Sequence, residues 1–235
     1  MSNPGALLFA RYAYPPNELG YCGPAGAAML LRSDLPGEIA RRARGFDGAW
    51  AYLVFLARAL GRSDPLDPAV VSAYWIGDSL PGGEFPDLLP FLRPRFAGQR
   101  GGTWESAGGR ALPHHSFHVF EVYPWASLLR RTGHPSAVSV LDRCRIRTGK
   151  VVRAGAATAT VTTRPLVWDG ASLTAGPPRE ETASLLLGGL APGDLVALHW
   201  DWVCDRITAE QATTIEALEK RQLDALFRKS VVPEV

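Results

Sequence analysis

Three cysteines and five histidines carry most of the chemistry open to this 235-residue chain. Cys144 stands between two arginines in "LDRCRIRTGKVV", Leu141 to Val152, at what reads as the start of a β-strand. Such a thiol can be an inert core residue, a nucleophile or a metal ligand. Arg143 and Arg145 would lower its pKa if their side chains turned toward it. His199, in "GDLVALHWDWV", alternates with Leu198 and Trp200 and so faces away from both. A soft thiolate and a borderline imidazole together suit a transition metal. Cys204, at the end of the same stretch, is a further candidate ligand.

A second constellation lies in the N-terminal half. "ELGYCGPAGAAML" places Cys22 before Gly-Pro and an apolar run that reads as a helix, with Pro24 in its first turn. The N–H groups and dipole of such a terminus would stabilise a thiolate. "HHSFHVFEV" supplies His118 or His115 as a base, with Asp142 or Asn17 to orient it. The layout is similar to that of papain-like cysteine enzymes, which implies cysteine-dependent hydrolysis or acyl transfer. A metal reading competes. Cys22, His114, His115 and His118 could join Cys144 and His199 around one ion, although no Cys-x-x-Cys pair points to zinc.

The elements that must position these groups fall into two textures. From Gly20 to about Arg95 the pattern is helical. "GAWAYLVFLARALG" is apolar almost all round, "DPAVVSAYWIGDSL" begins at an Asp67 cap followed by Pro68, and "FPDLLPFLRPRF" is a proline-broken helix. A glycine-rich loop follows. "HHSFHVFEV" can start as a strand with His118, Phe120 and Val122 on one face, and "PWASLLRR" reads as a helix. From about Ser139, short runs rich in Val and Thr alternate with turn residues, as in a small β-barrel. The end, "TAEQATTIEALEKRQLDALFRK", is an amphipathic helix with a Thr208–Gln211 capping box. The expected class is α+β: a mainly helical module over 1–138, then a barrel with a C-terminal helix over 139–235.

Composition narrows the partners. Hydrophobic residues make up 46% and charged residues 20%, so the chain can bury a core. The net charge is +2 with no block of like charge, which disfavours nucleic acid. The opening "MSNPGALLFARYAY" lacks a basic region before an apolar run, and no segment reaches the roughly 20 apolar residues of a membrane span. An odd cysteine count argues against a disulfide framework, so a cytoplasmic setting with reduced thiols is expected.

The stretch from Leu141 to Phe227 resembles the HypC/HupF family of [NiFe]-hydrogenase maturation chaperones. Those proteins open on a Cys-x-x-x-Pro-Gly-x-Ile/Val stretch, matched here by Cys144, Gly149 and Val151. Later comes Gly-Asp-x-Val-x-Val-His, matched by Gly193, Asp194, Val196 and His199, then a short strand and an acidic helix. The resemblance implies an OB-like barrel with a C-terminal helix. It implies an accessory role in which iron, as an Fe(CN)2(CO) group, is held through Cys144 and His199 together with a maturation partner or the hydrogenase large subunit. Cys22, His118 and Cys204 are further candidates for that metal. The sequence departs from the family at Thr148, which replaces its proline, and at Asp201, Trp202 and Val203. Cys144 is also internal and has no free α-amine. The whole chain further resembles an uncharacterised bacterial family with "FARYAYPPNELGYCGP" and "HHSFHVFEVYPW".

Overall fold

The computed structural model describes residues 3–227. Its first element is a helix that the apolar patterning did not announce: α1, Pro4–Glu18. Asn3 caps it by accepting from the Ala6 N–H at 2.9 Å, and Pro4 sits in the first turn. Gly5, Phe9, Tyr12, Ala13 and Pro16 on this helix are all buried. α1 is therefore a central post rather than a surface element. α2 (Pro36–Ala43) and α4 (Pro68–Trp75) pack on it, α3 (Asp47–Ala59) packs on α4, and the short α5 (Leu88–Leu92) packs on α3. Asp67 caps α4 through the Ala69 N–H at 2.9 Å, as its Asp-Pro signal predicts.

Two expected elements change identity. "HHSFHVFEV" is not a strand. It forms α6 (His115–Phe117), which runs into a π-helical turn over His118–Val122. Every residue from 111 to 122 is buried, so the period-two pattern had no solvent face to reveal and could not separate strand from helix. Cys144 does not open a strand either. After α7 (Trp125–Thr132) it is the last residue of α8 (Pro135–Cys144), and the first strand begins at Arg147. Ala137, Leu141 and Cys144 fall on one helical face and are all buried. His134 caps α8 by accepting from Ser136 N–H at 3.2 Å.

The strands are β1 (Arg147–Ala154), β2 (Thr158–Thr163), β3 (Leu166–Trp168), β4 (Leu173–Ala175), β5 (Arg179–Leu185), β6 (Leu195–His199) and β7 (Trp202–Arg206). Five of them close a barrel in the order β1-β2-β5-β7-β6, and β3–β4 form a separate hairpin. Every barrel pairing is antiparallel except β5 with β7. This is the OB-like order, with the β3–β4 hairpin set between the second and third barrel strands. Val151, Val161, Ala183, Val196, Leu198 and Val203 fill the barrel.

Alternation then sends the neighbouring residues of β6 and β7 outward. Ala197 and Cys204 join the large apolar cluster built by α1, α3 and α4. Helix α8 runs across residue 138, and this cluster draws on residues from both sides of it.

The final helix, α9, covers Ala209–Phe227. Its capping box is complete: Gln211 N–H donates to Thr208 Oγ1 at 3.1 Å, and Thr208 N–H donates to Gln211 Oε1 at 2.9 Å. Its expected last residues, Arg228 and Lys229, lie outside the described residues. Glu219 faces inward from α9 and pairs with buried Arg145, which also binds Asp142 at 2.9 Å. No helix among the described residues is long and apolar enough to cross a membrane.

Candidate metal centre

His115, Cys144 and His199 bring one donor atom each to within 4.8 Å of one another, and all three residues are buried. Each arrives from a different element: the first residue of α6, the last of α8 and the last of β6. The β6–β7 turn is bolted to the end of α8. Trp200 N–H donates to the Arg143 carbonyl at 2.7 Å, and Arg143 pairs with Asp201 at 3.1 Å. Buried Arg147, paired with Glu181, donates to the Trp200 carbonyl. Trp200 takes a left-handed backbone (φ 53°) immediately after His199, a strained state that its fixed neighbours maintain.

The imidazoles are oriented by carbonyls. A carbonyl can only accept, so His115 Nε2 carries the proton that reaches the Cys144 oxygen at 2.8 Å. His115 Nδ1 is left to accept from the Tyr74 hydroxyl at 3.3 Å. His199 Nδ1 likewise donates to the Tyr12 carbonyl at 2.6 Å, and its Nε2 is buried without a partner. The Tyr12 carbonyl is free for a sequence reason. Its helical partner would be the amide of residue 16, which is a proline and has no N–H. An imidazole anchored on one nitrogen, with the other bare and buried, is the usual dressing of a metal-ligating histidine.

A cavity of about 200 Å³ adjoins these donors, walled by Tyr74, Trp75, Tyr123 and Trp200. Cys22 and His118 line the same cavity, so the structure gathers Cys22, His115, His118, Cys144 and His199 in one place. Cys22 and His118 stand outside the close group of three. Gly48 permits the His118 ring to sit where it does, since a Cβ there would fall 2.8 Å from Nε2. The hydroxyl-bearing wall residues, Tyr74 and Tyr123, were not marked by spacing. They sit in stretches apolar on every side, where an aromatic reads as core.

Other candidates are placed elsewhere. His114 caps α6, its Nδ1 accepting from Ser116 N–H at 3.0 Å. Cys204 faces the main apolar cluster and donates to the Trp202 carbonyl at 3.6 Å. Asn17 donates to the Cys22 and Pro24 carbonyls and does not orient a histidine. Asp142 is committed to Arg145 and to the Leu166 N–H.

Electrostatics correct two expectations about reactive thiols. Burial drives the Cys144 thiol well above its ordinary value. Arg143 and Arg145 do not counter this, because both point to carboxylates. The C-terminal end of α8 also disfavours an anion there. Cys22 does not head a helix: it sits in a loop, and the next helical turn is the 3-10 segment Ala27–Leu31. Burial pushes its thiol up to about 12. Burial likewise lowers His118 to about 3 and His115 to about 4, and holds His199 well below its ordinary value. The cavity thus holds neutral thiols beside neutral imidazoles.

No curated protein and no solved structure matches the chain. A family model described as "Family of unknown function (DUF6390)" matches residues 1–232, and the chain therefore belongs to that family.

Proposed function

We propose that this protein binds a transition metal through Cys144, His199 and His115. The convergence of the three donors to within 4.8 Å, from elements far apart in sequence, is the observation that carries this reading. The donor chemistry agrees with it. One soft thiolate and two borderline imidazoles suit iron, zinc, cobalt or nickel, and are a poor match for magnesium or calcium. The Nε2 of His199 is buried without a hydrogen-bond partner, as a ligating nitrogen would be.

The finer form of the proposal is an accessory role in [NiFe]-hydrogenase maturation, with iron held as Fe(CN)2(CO) and exchanged with a maturation protein or the hydrogenase large subunit. Its support is the HypC/HupF resemblance, which pairs Cys144 with His199, together with the OB-like strand order and the helix that follows. The partner is implied by the resemblance alone. The test is metal analysis and infrared spectroscopy of protein co-expressed with the maturation machinery. Iron with bound CO and cyanide bands, lost on Cys144→Ala, is the expected result. Iron and bands that survive that substitution would overturn it.

The alternative is a cysteine-dependent hydrolase or acyl transferase using Cys22 and His118, favoured by their shared cavity. A thiolate–imidazolium pair there needs both groups to charge against the burial that now keeps them neutral. Iodoacetamide kinetics decide it. An alkylation rate at Cys22 that rises at neutral pH and falls on His118→Ala supports the enzyme. A rate that rises only at ordinary thiol pH and ignores His118 removes it.

A further inference from the structure

A bare divalent ion held by Cys144, His115 and His199 has a charge problem. One thiolate and two neutral imidazoles leave one positive charge uncompensated in a buried site. An unpaired buried charge is strongly disfavoured. The surrounding groups do not remove it. Trp75 and Trp200 are apolar walls, and Arg147, already paired with Glu181, adds positive potential at His199. Asp47 lines the cavity from an exposed position, where water screens it.

Cys22 offers what is missing. It lines the same cavity, and its charge would be felt by Cys144, Tyr74 and Tyr123. Its loop lies over the site: the Tyr21 ring stacks on Trp200 at 4.2 Å, next to His199. Asn17 fixes the loop's backbone by donating to the Cys22 carbonyl at 2.7 Å and to the Pro24 carbonyl at 2.9 Å. Gly23, at φ 76°, packs so closely on Phe46 that a Cβ would meet the ring at 2.3 Å. The loop is thus held against the cavity wall, with Cys22 only half-buried at its surface side.

We propose that Cys22 is the second thiolate ligand, closing a neutral four-donor set of Cys22, His115, Cys144 and His199 around a divalent soft or borderline ion. The inference rests on the metal-site reading above and deepens it. Cys22 stands outside the close group of three in the ion-free arrangement, so its loop or side chain must advance when the ion binds. Binding exchanges two S–H bonds for two metal–sulfur bonds and releases both protons to solvent. A tetrahedral ion then has no open position. An Fe(CN)2(CO) group is itself neutral, so the charge argument concerns the bare ion alone.

The test is anaerobic titration of the reduced full-length chain with Co2+. Wild type should show tetrahedral d–d bands and thiolate-to-cobalt charge transfer. Cys22→Ser should still bind, at least about tenfold more weakly, with about half the charge-transfer intensity as one of two thiolates is lost. Full intensity and affinity in Cys22→Ser would overturn the inference and leave the three-donor site standing. No cobalt uptake by wild type would overturn both. Should the variant fail to fold, wild type still decides: bound Co2+ must protect Cys22 from iodoacetamide, and alkylation of Cys22 at the metal-free rate would overturn the fourth-ligand assignment.

Discussion

The ring of His199 is held by the carbonyl of Tyr12, 2.6 Å from Nδ1 and 187 residues away in sequence. The carbonyl is available because Pro16, one turn on, has no amide hydrogen to offer it. Pro16→Ala restores a competing helical donor. Metal affinity should fall by about 10–100-fold, the usual effect of losing a group that orients a ligand. The melting temperature should change little, because the helix bond gained offsets the unpaired His199 N–H and the lost proline ring. Isothermal titration and calorimetry separate the two effects. An unchanged affinity would show that Tyr12 does not set the His199 ring.

Removing the ring has a different cost. His199→Ala leaves the Tyr12 carbonyl buried without a donor, so the metal-free protein should lose about 1–3 kcal/mol in urea unfolding. Cys144→Ala, which removes a small buried group whose thiol makes no hydrogen bond among the described residues, should cost less in the metal-free state while still abolishing tight binding. Equal losses in the two variants would contradict this.

Acid should destabilise the metal-free protein well before its carboxylates titrate. Burial holds His114 and His118 at about 3 and His115 at about 4, and holds His199 well below its ordinary value, against an unfolded value near 6.5. Below about 6.5 the unfolded chain takes up protons that the folded chain refuses, so the stability present above that pH drains away down to about 4 for His115 and about 3 for His114 and His118. Each histidine adds up to ~1.4 kcal/mol per pH unit across that window. Urea midpoints measured between about pH 7 and pH 5 check this. A flat midpoint would mean that the rings are not buried as neutral bases.

Arg145 ties the α8–β1 junction to α9 through Asp142 and Glu219, and it is 5% exposed. Arg145→Ala strands two buried carboxylates and should cost about 3–5 kcal/mol. Glu219→Gln, which keeps a hydrogen-bond acceptor, should cost clearly less. Denaturant unfolding orders the two, and the reverse order would show that the network is held by Glu219 rather than by the arginine.

Gly48→Ala drives a methyl group to 2.8 Å from His118 Nε2. Overpacking of this kind costs about 1–3 kcal/mol. Because His118 is outside the proposed ligand set, metal affinity in the folded variant should stay at the wild-type value. A large loss of affinity would bring His118 into the set.

Much of the frame was legible in the chain itself. The Thr208–Gln211 capping box, the Asp67–Pro68 helix start and the Val/Thr texture of the barrel are local signals, set by hydrogen bonds and dihedral preferences within a few residues. Misreadings came where burial removed contrast. His115 and His118 lie in a run of residues buried on every side, and helix α1 shows little amphipathic pattern because it is packed nearly all round. The sequence around Cys144 points to a strand rather than a helix end for a related reason. Valine, leucine and arginine around it fit either a strand or the end of a helix, and the proline-led start of α8 decided the matter.

The sequence by itself determined the donor types, and the resemblance suggested the pairing of Cys144 with His199. Only the tertiary structure decided that His115 joins them, that His118 and Cys22 share the cavity, and that the Nε2 of His199 is buried without a partner. The physical reason is one of range. Residue chemistry and capping are local, whereas a donor set is closed by long-range packing of α1, α6, α8 and β6. The carbonyl of Tyr12 is freed by Pro16 within one helix, but only that packing brings His199 to it.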